Sequence, residues 1–304
     1  MKTSVLIATY NGEQFIEEQL ASICDQSLQP DEVLIRDDCS TDSTCERIRS
    51  FIALHGLSAW RLEVNECNLG FRKNFRMLAE QATGDVMFFC DQDDVWAPCK
   101  IETCCGLMTA CSDIGLVCAD YTSSVERPNI AIRAKASEEW DFERLVPHLG
   151  KPYVWLGCAM AARASFVCDI MPYWPDDWAH DECMWCMAEA AGVGVILHEP
   201  LLWHRLHGGN ATGKKVHDRD RRIALVEEKS KGYAEVVRYC EWKGIAGEAP
   251  RLFKHMAGCG RSRAEFLREP SFHKALKLLP YLKYYPEVKS YPADLAIAFN
   301  RRGR

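Results

Sequence analysis

Familiar devices for holding nucleotides are missing from this 304-residue sequence. No G-x-G-x-x-G follows the first strand-like run; "GVGVIL" and "GCGRSR" each lack the third glycine, which argues against a dinucleotide cradle of that type. No G-x-x-x-x-G-K-[ST] occurs either, so phosphates are not wrapped by a Walker loop. No apolar run reaches about 18 residues, so no membrane-crossing helix is expected. A basic excess is also lacking. The 37 Lys and Arg stand against 43 Asp and Glu, for a net charge of -6, which sets aside a general nucleic-acid binder. Cysteine is plentiful at 16, yet only Cys183 and Cys186 form a C-x-x-C, and zinc would need two more ligands at matching spacing. "MKTSVLIATY" runs straight into a strand pattern with no secretory signal ahead of it. Reduced, buried thiols in a cytosolic protein are expected rather than a disulfide framework.

The composition itself is that of a core-forming globular chain, 48% hydrophobic and 26% charged. "SVLIAT" (4–9) is a continuous β-branched apolar run, as a strand buried on both faces requires. Strands are likewise predicted over 31–38, 60–66, 85–91 and 114–121, with one helical pattern between each pair. Such alternation specifies an α/β fold with a mainly parallel sheet flanked by helices. From about 122 the alternation breaks. The stretch 122–147 reads as a loop with a short helix, "VWLGCAMAARASFVCDIM" as a strand and helix, and "VGVILHEPLLWHRLHGGNATG" as a strand and a His- and Gly-rich loop. From 214 the chain is helical and increasingly basic.

In such sheets ligands sit at the carboxyl ends of the strands. There the sequence places "TYNG" after the first strand, "DDCSTD" after the second and "DQDD" after the fourth. Carboxylates gathered in one crevice repel one another unless a cation or ligand amide compensates. A divalent cation, Mg²⁺ or Mn²⁺, held by Asp91, Asp93 or Asp94 and in turn gripping a diphosphate would supply that compensation. Taken alone, "DQDD" fits a helix-capping turn better; the nearby Asp37 and Asp38 tip the balance toward a site.

Six segments, "VLIATYNGEQFIEEQLASICDQS", "DEVLIRDDCSTDST", "NLGFRKNF", "GDVMFFCDQDDVW", "WAHDE" and "RLHGGN", occur in order between residue 4 and about 213. Together they resemble the inverting family 2 glycosyltransferases, which have the GT-A fold, and most of all their bacterial rhamnosyltransferase branch. The resemblance implies a nucleotide-diphosphate sugar donor, a glycan or lipid-linked glycan acceptor, and a metal-dependent transfer. It implies that Thr9, Tyr10 and Asn11 touch the nucleotide base, and that Asp38, with Asp37 beside it, accepts a hydrogen bond from the base. It implies Asp91 near the ribose and Asp93 on the metal, with Asp94 open to either role. Asp181 is implied as general base, with Glu182 as its rival, and His207 and Asn210 as part of a segment closing over the diphosphate. Lys73 and Gly157 are further donor-side candidates. Trp174 and Trp178 suit acceptor stacking and core packing about equally. The implied domain plan is a GT-A unit over 1–213, divided into a nucleotide-sugar-binding half (1–121) and an acceptor half (122–213), then a helical, basic extension over 214–304. That extension, with "HKALKLLPYLKYYP", suits either a solvated appendage or peripheral contact with an anionic membrane, at the inner face of the cell membrane. Two other classes compete: a sugar nucleotidyltransferase, which would want a glycine-rich basic loop where "ATYNGEQF" stands, and a non-catalytic nucleotide-sugar-binding subunit. Within the family, a UDP-hexose donor is the alternative to dTDP-rhamnose.

Overall fold

The computed structural model describes residues 1–127, 139–147, 156–208, 218–285 and 289–299. Strands β1 (Thr3–Thr9), β2 (Glu32–Asp37), β3 (Trp60–Val64) and β4 (Val86–Asp91) alternate with helices α1 (Ile16–Cys24), α2 (Thr44–His55) and α3 (Phe71–Gln81). After them come β5 (Val95–Trp96), α4 (Lys100–Ala110), β6 (Leu116–Ser124), β7 (Phe142–Arg144), β8 (Met160–Arg163), α5 (Ala164–Ile170), α6 (His180–Ala191) and β9 (Gly194–Arg205). Helices α7 (Arg219–Lys243), α8 (Glu248–Arg268), α9 (Phe272–Lys277) and α10 (Ser290–Phe299) complete the described chain.

The nine strands form one sheet in the order β3-β2-β1-β4-β8-β6-β9-β5, with β7 on β9. β1 to β4 pair in parallel, β8 runs against both β4 and β6, and β6 pairs in parallel with β9. β1 to β4, β6 and β9 therefore share one direction, as the alternation predicts. Two features depart from the sequence reading. β8 inserts antiparallel between β4 and β6, and the region expected to be a loop with a short helix extends β6 to Ser124 and adds β7. The extension of β6 and the whole of β7 escape an apolar pattern for one reason. The end of β6 and the three residues of β7 are largely unburied, and backbone pairing rather than side-chain burial makes them strands.

Period-2 alternation places the cores. Val5 and Ile7 face one side of the sheet with Ile16, Leu20 and Ile48 of α1 and α2; Leu6 faces the other with Phe75 and Leu78 of α3. Each fully buried aliphatic contributes roughly 1.5–3 kcal/mol. The second core continues without a break through α6 into α7 and α8, by way of Tyr233, Val236, Tyr239, Phe253 and Met256. The helices expected after 214 are thus in place from 219, and the first two are packed on the sheet domain rather than hung from it. A smaller cluster, including Val226, Phe266, Leu267 and Leu278, fastens the last helices. Buried Asp294 completes it, accepting from Arg222 Nε at 3.0 Å and Arg263 Nε at 2.8 Å. Among the described residues no helix is long and apolar enough to cross a membrane.

Candidate active site

A cavity of about 320 Å³ opens where β1, β2 and β4 end, and Thr9, Tyr10, Asp38, Asp91 and Asp93 line it. Gly157 and Asp181 line it from the other half of the chain, with His180 and His204. Acids separated by 143 positions (38 to 181) thus share one hollow.

The turn after β1 is held by its neighbours. Asn11, at φ 48°, donates its backbone N–H to Ser40 Oγ (2.8 Å) and accepts from Thr41 N at Oδ1 (2.8 Å). Gln92, the middle residue of D-Q-D, clamps Tyr10: its Oε1 accepts from Tyr10 N (2.8 Å) and its Nε2 donates to Tyr10 O (2.9 Å). Residue 12 must be glycine for this clamp, since a Cβ there would lie 2.3 Å from Gln92 Oε1. Asp37 is fully buried and works inside the loop, accepting from Thr9 Oγ1 (2.8 Å), Ser40 Oγ (2.6 Å) and Ser40 N (2.8 Å).

Asp38 reaches the cavity while nearly saturated. Oδ1 accepts from Leu69 N (2.7 Å) and Asn65 Nδ2 (2.9 Å), and Oδ2 from Gly70 N (2.8 Å). Burial pushes this carboxyl up, but the hydrogen bonds outweigh it and hold it below the usual carboxylate range. The opposite holds across the cavity. Burial and the charges of Asp94, Asp93 and Asp181 drive Asp91 well above that range. Burial, then Asp93, raises Asp94 too, and burial raises Asp181.

Asp91, Asp94 and Cys158 each bring one ligand atom within 4.8 Å of the others, a grouping able to hold a divalent cation. The donor chemistry refines this. Burial pushes the Cys158 thiol far up, so it stays protonated beside the acids instead of serving a hard cation as thiolate. Asp94 is fully buried; Oδ1 accepts from Arg205 N (3.2 Å), and the Cys158 thiol stands beside this carboxylate. Asp91 and Asp93 face the cavity, and Asp93 Oδ2 lies 2.7 Å from His207 Nε2. These hard oxygen donors, with an imidazole beside them, fit a divalent cation.

Asp181 stands in the first turn of α6, Oδ1 accepting from Glu182 N (2.7 Å). Glu182 faces away: buried, it accepts from Lys229 Nζ (2.6 Å) and Tyr233 OH (3.3 Å), so it is tied to α7 and does not line the cavity. Lys73 is solvated, 4.0 Å from Asp176. Trp174 and Trp178 are core residues, 1% and 0% exposed, joined by Trp174 Nε1 donating to Trp178 O. Asn210 lies outside the described residues.

Two residues that shape the site are not singled out by the motifs. His180 packs against Phe75 and Phe89, at ring-centroid distances of 4.0 and 5.1 Å, and burial lowers its pKa to about 3. It fits only because residue 157 is glycine; a Cβ there would lie 2.0 Å from His180 Nε2. Lys100, fully buried over the Trp96 ring, donates to Cys158 O (2.5 Å) and fixes the segment carrying Gly157. The preceding "WAHDE" points to His180 only as the neighbour of Asp181.

Comparison with known proteins agrees with this geometry. The sequence model described as "Glycosyl transferase family 2" matches residues 4–167. The dTDP-rhamnosyl transferase RfbG of Shigella flexneri is 28% identical over 233 residues, covering 73% of this chain and 80% of that protein. Among solved structures, Staphylococcus aureus TarS 1-349 in complex with UDP-GlcNAc superposes with a TM-score of 0.62 at 17% identity, over 98% of this chain and 79% of that one. The mannosyltransferase PcManGT of Pyrobaculum calidifontis, in complex with GDP-Man and Mn2+, gives 0.57 at 19% identity, over 99% and 88%.

Proposed function

The chain belongs to glycosyl transferase family 2 and has its GT-A fold, and we propose that it transfers rhamnose from dTDP-rhamnose, with inversion, to a glycan or lipid-linked glycan of a bacterial surface polysaccharide. The observation that carries this reading is the meeting of Asp38, Asp91, Asp93 and Asp181 around one cavity at the strand ends. The choice of donor leans on the name of the Shigella relative. A UDP-hexose is the second reading, favoured by the UDP-GlcNAc in the TarS structure.

We assign the nucleotide-sugar half to residues 1–121 and the acceptor half to 122–213. Thr9, Tyr10 and Asn11, braced by Asp37, receive the nucleotide base, and Asp38 offers it the acceptor capacity its three protein donors leave. Gly157 lines the donor side of the cavity, its missing side chain leaving room for His180. Asp93, with Asp91 and His207 at hand, would hold Mg²⁺ or Mn²⁺. When bound, such a cation stabilises the negative charge that develops on the departing diphosphate. Lys73 and Asn210 are assigned to the same phosphates.

Inversion requires in-line attack by an acceptor hydroxyl on the anomeric carbon, through an oxocarbenium-like transition state. Asp181 takes the hydroxyl proton as the C–O bond to the acceptor forms and the bond to the diphosphate breaks. Burial raises its pKa and so strengthens it as a base, and such catalysis contributes typically ~10²–10⁴-fold. Glu182, committed to Lys229, holds α6 in place. No covalent enzyme intermediate is needed, so the cysteines have no nucleophilic part. The enzyme is assigned to the cytoplasmic side of the cell membrane.

Purified protein incubated with dTDP-rhamnose or UDP-hexoses, with Mn²⁺ and a panel of lipid-linked glycans, tests the reading by mass spectrometry. A deoxyhexose mass increment from dTDP-rhamnose is the expected result. Stabilisation by nucleotide sugars without turnover on any acceptor would overturn it in favour of a non-catalytic binder.

A further inference from the structure

The last helices carry apolar side chains that no core explains. α9 and the 3₁₀ turn after it (Leu279–Tyr284) bury Ala275 and Leu278 against the cluster that includes Phe266 and Leu267. The same two elements leave Phe272 77% exposed, Leu276 46%, Leu279 45% and Leu282 40%. Phe272 and Leu276 are four apart on one α-helical face, and Leu279 and Leu282 are three apart where a 3₁₀ turn stacks such pairs. Four large apolar groups thus point outward in succession.

Their charge setting is unlike the rest of the chain. In a protein of net charge -6, residues 270–285, "PSFHKALKLLPYLKYY", contain three lysines and no Asp or Glu. Lys274 turns back to Glu269 (2.8 Å) and Glu265 (3.3 Å). Lys277 and Lys283 are exposed and make no ion pair among the described residues, and exposed His273 stands beside Phe272. Apolar groups projecting from two successive short elements, with cations interleaved on long stems, match a bilayer interface. The side chains enter the headgroup boundary while the ammonium groups stay at the anionic surface. A protein partner would instead be met by a groove or a rim of mixed sign.

We propose that Phe272, Leu276, Leu279 and Leu282, with Lys277 and Lys283, form a docking face for an anionic phospholipid bilayer. The face gives a physical basis to the membrane-side assignment above, but it stands on this patch alone and uses no residue of the cavity. It would hold the transferase at the surface where lipid-linked acceptors lie.

Flotation of the whole 304-residue chain with phosphatidylcholine vesicles, with and without phosphatidylglycerol, tests it. Wild type should float with the anionic vesicles and at least about tenfold less with the neutral ones. Phe272→Ser with Leu276→Ser should cut flotation at least about tenfold, and Lys277→Glu with Lys283→Glu should abolish the preference for anionic lipid. Wild type remaining in the bottom fraction, or either double variant floating like wild type, overturns the proposal. The same variants are checked for unchanged thermal unfolding and for dTDP and UDP binding by calorimetry. If wild type binds neither nucleotide, the donor-site reading fails, while flotation still decides the fate of the docking face.

Discussion

Asp38 and Asp91 stand at the carboxyl ends of β2 and β4, the parallel strands on either side of β1, and both line the same cavity, yet their environments oppose each other. Asp38 is wrapped by Leu69, Gly70 and Asn65, so burial is offset and the carboxylate stays ionised below its ordinary range. Asp91 sits among Asp93, Asp94 and Asp181, and its own burial together with their charges drives it upward. One side of the cavity is complete in the protein alone; on the proposed reading, the other would be completed by positive charge brought with the ligand. The side that satisfies itself positions, and the side that does not is where chemistry is expected.

The largest effect expected is at the unsatisfied side. Asp181→Asn should lower transfer by ~10²–10⁴-fold and leave donor affinity within about twofold, measured by kinetics and calorimetry. Retained activity would move the base elsewhere. Asp38→Asn tests the satisfied side and should cost about 2–3 kcal/mol of stability at neutral pH, because three donors lose a charged acceptor. The sign is fixed by its depressed pKa. The stabilisation is present above the unfolded value near 3.8 and fades as pH falls through the lower folded value. Denaturant titrations across that range should therefore converge for variant and wild type in acid.

His180 reports how dry the unsatisfied side is. Its folded pKa of about 3 lies below the ordinary 6.5, so the unfolded chain binds a proton that the native state refuses, and stability falls as pH drops from 6.5 toward 3. At about pH 5 the loss should be roughly 2 kcal/mol relative to neutral pH. His180→Leu should remove that slope; a phenylalanine would add an atom toward Gly157. The smallest effect is at Asp94. Asp94→Asn relieves repulsion in the metal-free cluster and should raise its stability by about 1 kcal/mol, seen as a higher Tm in chelator.

Much of this was legible in the sequence. β1 to β4 and the helices between them follow from apolar runs and periodicity, and the acids at their ends from that placement. Three kinds of feature were not. β5, β7 and the insertion of β8 depend on backbone pairing over two to four residues, with little side-chain pattern to betray it. The state of each acid depends on distant partners: Asp38 on groups 27 to 32 positions away, and Glu182 on Lys229, 47 away. Spacing marks where a carboxylate lies, but these donors decide whether it is free to act. Trp174 and Trp178 illustrate the same limit, since "WPDDW" suits a sugar platform until the core closes over both rings.

The contrast between the two sides comes down to whether the acid cluster recruits a cation. Calorimetric titration of dTDP or UDP into wild type and Asp93→Asn, each with Mn²⁺ and with chelator, measures that directly. Affinity should rise at least about tenfold with Mn²⁺ in wild type and be insensitive to it in the variant. Equal affinity with and without the metal in wild type would contradict the account.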